Sequence, residues 1–377
     1  MKLLERLTLP TLFPSMTPSP INRRRSFDHQ KNFKKSLKTI ASTTGIMILI
    51  GIAYALVFAQ LHLHAIVNGI IIGGLIGVTS STAEVFLFAR YRKRLSFTTM
   101  LMLRSLFYVV MVAVSVFYVI GFHIAWMHSM TFSEALDSPE FKRFIHEGEF
   151  FQVVVYALAM SFMINFIRQV NRLLGHNALR MFITGRYHQP IEEERVFMFL
   201  DLKSSTTIAE KLGNINYHNF LDDFFHDISS PILESKGSIY QYVGDEVVVT
   251  WTKEKGFQDA NCIACYFRIA AAIALRSETY EKRYGVVPTF KAGYHVGPVI
   301  SGEIGDIKRE IVYNGDTVNT AARIRTECTT FKKDLLLSGD LLRYLPPIEY
   351  LSPEPIGRIR LRGKQEEVEL YSILEAA

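Results

Sequence analysis

Residues 39 to 59, 65 to 89, 105 to 126 and 150 to 167 form four long apolar runs, and no other feature limits the fold of this chain so sharply. At 1.5 Å per residue, each is about long enough to cross a hydrocarbon core ~30 Å thick. The first, third and fourth contain no Asp, Glu, Lys or Arg, and the second contains one, Glu84. Such runs exclude both a wholly soluble protein and a disordered one. A cleaved signal peptide is not expected, because the first run begins at residue 39 and is too long for a leader's apolar stretch.

The charge pattern orients these spans. The formal net charge is +6, but nine Lys/Arg against two acids fall in residues 1 to 38, and the remainder is near neutral. The excess therefore reads as membrane topology and gives no reason to expect nucleic acid as a partner. If the four runs span, then the segment from Arg23 to Lys38, the turn from Arg90 to Arg94, and Arg168, Arg172 and Arg180 all fall on one side. The positive-inside rule makes that side the cytosol. The expectation is a multi-pass protein of the cell's plasma or inner membrane with both termini cytosolic. His62, His64, His123, His128 and His146 gather near the outer side. Without a ligand spacing that repeats on one helix face, they read as interfacial residues. Cys262, Cys265 and Cys328 are too few and too odd in number for a disulfide framework, which places the soluble part in a reducing compartment.

The expected order is a basic segment (1–38), a four-helix membrane domain (39–167), a linker helix (168–193) and a soluble catalytic domain (194–377). In the linker, Val170, Leu174, Asn177 and Met181 follow 4-3-4 spacing, a short seam for a parallel two-stranded coil with Asn177 setting its register. Gly185 and Pro190 end it. Beyond Arg195 the pattern becomes α+β. Val196 to Leu200 is a short apolar strand ending at Asp201, followed by amphipathic helix to about Leu233. Ser238–Val243 and Glu246–Trp251 are strands separated only by Gly244-Asp245, a hairpin with a tight turn. A helix over about 257–284, strands near 289–295 and 298–303, a helix over about 317–328, and strands near 357–362 and 367–373 follow.

The chemistry gathers at strand ends. Asp201 closes one strand and Asp245 sits in a neighbouring turn, so two carboxylates could converge on a divalent ion; Mg²⁺ accepts one or two carboxylates plus phosphate oxygens. Lys203, Ser204, Ser205 and Thr206 open a helix and offer backbone N–H groups to a phosphate. On a later helix, Asn319 and Arg323 are four apart and share a face.

Three motifs in order, Phe199-Leu-Asp-Leu-Lys-Ser-Ser-Thr206, Val243-Gly-Asp-Glu246 and Gly315-Asp-Thr-Val-Asn-Thr-Ala-Ala-Arg323, make residues 194 to 374 resemble the catalytic domain of class III adenylyl and guanylyl cyclases. The resemblance implies a ferredoxin-like, palm-type fold behind the four membrane helices. It also implies two Mg²⁺ or Mn²⁺ ions per site, held by Asp201, Asp245 and the Leu202 carbonyl. Asn319 would orient the ribose and Arg323 would stabilise charge on the α-phosphate. Lys291 and one of Arg362 and Lys364 match basic positions that meet the triphosphate. Family sites form between two catalytic domains, so one domain per chain implies a homodimer with two sites. The implied reaction is two-metal, in-line attack of the ribose 3′-hydroxyl on the α-phosphate of ATP, giving 3′,5′-cyclic AMP and pyrophosphate.

Two positions depart from the family. The base-reading residues fall on Gln241 and Val312, where a Lys and Asp pair is typical for adenine. Gln241 can donate to adenine N1, but Val312 cannot accept from the exocyclic amine, which leaves guanine or a pyrimidine as alternative bases. A non-catalytic membrane sensor with a cyclase-like dimerisation domain is the contrasting class. The presence of Asp201, Asp245, Asn319 and Arg323 together speaks against it. A diguanylate cyclase is excluded because the GGDEF turn is absent. Cys262 and Cys265 read as helix packing rather than a redox pair.

Overall fold

A computed structural model of the chain describes residues 20–58, 63–88, 95–174, 178–346 and 351–375. Residues 1–19 of the basic segment, the turn from Arg90 to Arg94, and Asn177 of the linker seam lie outside the described residues. The chain divides into two compact units, residues 1–169 and 170–377.

In the first unit the four apolar runs are helical: α1 (Pro20–Phe58), α2 (Leu63–Ala83), α3 (Phe97–Met127) and, after two short helices α4 (Phe132–Asp137) and α5 (Pro139–His146), α6 (Glu149–Leu174). Hydrocarbon offers no partner to a backbone amide, so an apolar run must satisfy its peptide groups internally, as a helix does. α1 and α2 approach backbone to backbone along glycines. A Cβ on Gly69 would lie 2.6 Å from the Gly51 carbonyl oxygen, and one on Gly73 would lie 2.5 Å from that of Met47. Such small-residue contacts substitute for the hydrophobic drive that lipid does not supply. The loop before α6 is ordered by caps: Thr131 and Glu134 form a reciprocal capping box, and Ser138 caps α5 with Pro139 in its first turn.

Glu84, the one charge in the second apolar run, meets Arg104, which immediately precedes the third. Arg104 Nη2 of α3 is 3.0 Å from Glu84 Oε1, at the start of the π-helical turn Glu84–Phe88 that continues α2. Tyr108 Oη donates to Glu84 at 3.4 Å, and the Arg104 guanidinium lies over the Phe88 ring, 5.4 Å from its centroid. The Arg104 side chain is 1% exposed.

After α7 (Ala178–Thr184) the second unit is built on one eight-stranded sheet. Its strands are β1 (Ile191–Leu202), β2 (Ser238–Val243), β3 (Glu246–Thr252), β4 (Phe290–Ile304), β5 (Glu310–Asn314), β6 (Leu335–Ser338), β7 (Leu351–Ile359) and β8 (Val368–Glu375). The order is β2-β3-β1-β4-β6-β8-β7, with β5 pairing β4. From Val196 to Leu200 β1 is apolar without alternation because both of its faces are covered there. Val196, Met198 and Leu200 join the main core with Phe220, Phe224 and Ile228 of α9 (Asn214–Glu234) and Cys262, Cys265 and Ile269 of α11 (Asn261–Leu275). Phe197 and Phe199 face the other way and pack with Ala321 of α13 (Asp316–Thr330). Cys262 and Cys265 are buried packing residues, and burial pushes each thiol up to about 12, far from a reactive thiolate.

Several elements differ from the sequence expectation. The helical stretch after Asp201 breaks at Gly213, whose φ of 73° ends α8 (Ser205–Leu212) before α9 begins. The expected helix over 257–284 is four pieces, α10 (Lys253–Phe257), a 3₁₀ turn, α11 and α12 (Ser277–Tyr284). The two strands expected around Pro298 are one, β4. On one edge β4 pairs β6 at residues 292–294 and β5 at residues 300–304, so Pro298 falls in the gap where its missing N–H costs no ladder bond. β5, β6 and α14 (Gly339–Tyr344) are too short to leave a periodic signal.

Candidate active site

Asp201, Leu202 and Asp245 lie at one end of the β3-β1-β4 sheet. Asp201 is opposite Glu246 of β3 and Lys291 of β4 in register. The hairpin turn holds Gly244 at φ 63°, a left-handed conformation suited to glycine, and presents Asp245 next to Glu246. Asp201 is 9% exposed. Burial pushes its carboxyl up, the Arg325 guanidinium opposes this, and the neighbouring charge of Asp245 pushes it up further. Burial likewise raises the Glu246 carboxyl, against Arg325.

Two cations grip a single oxygen of Asp201. Arg325 Nη1 is 3.3 Å and Lys291 Nζ 3.4 Å from Oδ2, while Oδ1 has no hydrogen-bond or ion-pair partner among the described residues. Lys291 also donates to Thr329 Oγ1 at 2.9 Å, and Arg325 Nη2 lies 2.6 Å from Glu246 Oε2. Leu202 ends β1 opposite Phe290 with its side chain buried in the core. Among the described residues no cluster of three or more His, Cys, Asp or Glu side chains forms a metal cage. Two carboxylates with a free oxygen suit a hard cation that completes its shell from substrate phosphate, so the donor set fits Mg²⁺ or Mn²⁺.

The run from Lys203 to Thr206 is split. Ser204 has φ 55° and caps α8 without a side-chain hydrogen bond, and Ser205 and Thr206 form its first turn. Lys203 is otherwise engaged: its N–H donates to the Thr289 carbonyl at 2.9 Å and its ammonium pairs with Asp334. Ser205 and Thr206 have backbone N–H groups at a helix start, which a phosphate oxygen can use.

The remaining residues sit on another face. Asn319 is exposed on α13, and Arg323, one turn on, lies 4.0 Å from Asp316 Oδ1. Lys364 Nζ reaches Asp316 Oδ2 at 2.8 Å, and this bond holds the Asp316 carboxyl below its usual range. Lys364, not the exposed Arg362, is the one joined to the Arg323 face. At 100° per residue, Arg323 and Arg325 project about 160° apart around α13. Arg325 turns to Asp201 and Arg323 turns away from it. Gln241 is exposed on β2, and Val312 lies on β5 opposite Gly302. Each adjoins one of two tyrosines packed edge to face, Tyr240 and Tyr313, with ring centroids 4.9 Å apart.

Glu246, Arg325, Asp316 and Thr329 were not singled out in the sequence. Arg325 carried a usable signal, two positions past Arg323 on the motif helix. Glu246 closes the Val243–Glu246 motif, but its place opposite Asp201 could be found only through the strand register.

This arrangement defines an α+β domain with carboxylates at its strand ends and a helix that carries Asn319, Arg323 and Arg325. Residues 187–375 match the adenylate and guanylate cyclase catalytic domain, and the chain belongs to that family. Adenylate cyclase 2 of Rhizobium meliloti (strain 1021) is 40% identical over 221 residues, 59% of this chain and 61% of that protein. Adenylate cyclase 1 of the same strain is 26% identical over 188 residues, 48% and 28% of the two chains. The match therefore spans less than two thirds of the length of either relative. The solved structure of a bacterial light-regulated adenylyl cyclase superposes with a TM-score of 0.50 at 20% identity, over 58% of this chain and 63% of that one.

Proposed function

We propose that this protein is a membrane-anchored cyclase that converts ATP to 3′,5′-cyclic AMP and pyrophosphate at sites shared by two copies of the chain. The observation that carries the reading is the division of α13, whose Asn319 and Arg323 point away from the Asp201 cluster held by Arg325 of the same helix. A site containing both sets of residues then needs Asp201 and Asp245 from one chain and Asn319, Arg323 and Lys364 from another. The 40% identity to an adenylate cyclase supports ATP as the substrate.

Asp201, Asp245 and the Leu202 carbonyl would hold Mg²⁺ or Mn²⁺, two per site, which when bound supply Lewis acidity toward the 3′-hydroxyl and the triphosphate. The Ser205 and Thr206 amides and Lys291 face the phosphates from that side. From the partner copy, Asn319 holds the ribose in line for attack, Arg323 meets negative charge as it grows on the α-phosphate, and Lys364 meets the leaving pyrophosphate. Gln241 donates to the base edge beside Val312. The four spans keep the domain at the cell membrane, with the basic loops and the catalytic domain in the cytosol.

The test is incubation of the full chain with each of the four nucleoside triphosphates and Mg²⁺ or Mn²⁺, followed by identification of cyclic products. ATP should give cyclic AMP, and Asp201→Asn and Asp245→Asn should each lower turnover by orders of magnitude while the protein still folds. A different cyclic nucleotide as main product would overturn the substrate. Normal turnover by either folded variant would overturn the site.

A further inference from the structure

Asp201, Asp245 and Glu246 bring three carboxylates to one strand end, and two side-chain cations, Arg325 and Lys291, reach into them. Lys291 has a second contact at Thr329. Arg325 instead bridges two carboxylates, at 2.6 Å from Glu246 and 3.3 Å from Asp201. Its Nε has no partner among the described residues, so the guanidinium is held by these charges from one end. Both carboxylates are largely buried, where a neighbouring charge is poorly screened.

We propose that Arg325 is a built-in competitor for the divalent ion at Asp201, and that Glu246 holds it back by keeping the guanidinium on its own carboxylate. The Glu246–Arg325 pair then sets how much metal the site needs. This inference rests on reading Asp201 and Asp245 as metal ligands. A cation 3.3 Å from a ligand oxygen lowers the negative potential that draws in a second cation. With Glu246 charged, Arg325 is shared, and Asp201 keeps Oδ1 and most of its charge for the ion. Without that charge, Arg325 has only Asp201 to pair with and the site's attraction for a cation falls. Without Arg325, the carboxylates lose a competing cation and the attraction rises. Arg325 is thus a positioning residue that touches a ligand and not the nucleotide. The two removals have opposite signs, whereas a merely structural ion pair would behave alike from either side.

The experiment is a Mn²⁺ titration of the full chain in lipid nanodiscs, without nucleotide, with free Mn²⁺ read by electron paramagnetic resonance. Glu246→Gln should weaken binding by roughly tenfold and Arg325→Gln should tighten it by roughly tenfold, the effect of about 1.4 kcal/mol. The double variant should lie within about threefold of wild type, because it removes one charge of each sign. Arg325→Lys, which keeps the charge, should stay near wild type. Unchanged affinity in Glu246→Gln, or weaker binding in folded Arg325→Gln, would overturn the proposal. If Arg325→Gln does not fold because Glu246 is left buried and unpaired, the isosteric Glu246→Gln and the double variant decide it. Asp201→Asn separates the two levels: if it binds Mn²⁺ as wild type does, the metal-ligand reading fails. If it loses Mn²⁺ while the Glu246 and Arg325 variants change nothing, only the present inference fails.

Discussion

Glu84 and Arg104, twenty residues apart and separated by the most basic loop between spans, form an ion pair of 3.0 Å on two adjoining membrane helices. An ionised side chain in hydrocarbon costs ~2.5 to 3.5 kcal/mol at the bilayer centre and less toward the interface, so pairing offsets a real penalty. The pair should hold α2 and α3 in register. Glu84→Arg and Arg104→Glu are each expected to reduce membrane insertion and cyclase activity, and the double swap should recover part of both. Strictly additive damage in insertion and activity assays would show that each charge reaches the headgroups independently.

Mixed dimers test the shared site. Asp201→Asn and Arg323→Ala should each abolish activity, yet a dimer of one with the other retains one site with all its residues. With equal expression and random pairing, half of the dimers are mixed and each has one working site of two, so about a quarter of wild-type activity should return. The readout is cyclic nucleotide formed by co-expressed chains, with differently tagged copies co-purified to prove mixing. Mixed dimers that remain inactive would contradict sites built from two chains.

Base selection should respond to the two positions that flank the Tyr240–Tyr313 contact. Gln241→Lys with Val312→Asp rebuilds the pair typical of adenine readers and should raise the ratio of ATP to GTP turnover, because an unpaired polar group at the base edge is costly. Competition assays with both nucleotides measure that ratio. An unchanged ratio in a folded double variant would show that these side chains do not meet the base.

Gly293 tests how α13 is seated. A Cβ there would come within 2.1 Å of the Arg325 backbone nitrogen and 2.8 Å of the Ala321 carbonyl, both main-chain atoms that cannot rotate away. Gly293→Ala should therefore push α13 off β4, lower the thermal unfolding midpoint and cut activity, since Asn319, Arg323 and Arg325 all ride on that helix. Gly302→Ala is the control. Its Cβ would meet nothing closer than 3.4 Å, so both measurements should stay near wild type.

The membrane helices, the hairpin around Gly244-Asp245 and the motif helix were legible in the sequence, because each rests on a local pattern. Long apolar runs, a two-residue turn and an Asn-x-x-x-Arg repeat need no knowledge of what lies across the sheet. Glu246 was not legible as a site residue, since its importance comes from facing Asp201 across two strands. Lys203 shows a related limit: its place in a small polar run suggests phosphate, while its contact with Asp334, 131 residues later, emerges only from the fold. Pro298 shows the reverse error. A proline that locally signals a break is tolerated because neighbouring strands leave a gap beside it.

The opposed directions of Arg323 and Arg325 on one helix also bear on where such a protein can be switched on. If each site is shared between two copies, as proposed, a chain alone is silent, and two chains confined to the same bilayer meet in a plane. While copies are sparse, output should then scale with the square of their surface density. Gathering a fixed number of molecules into a smaller patch of membrane would raise the signal without new synthesis and without any change in an individual chain.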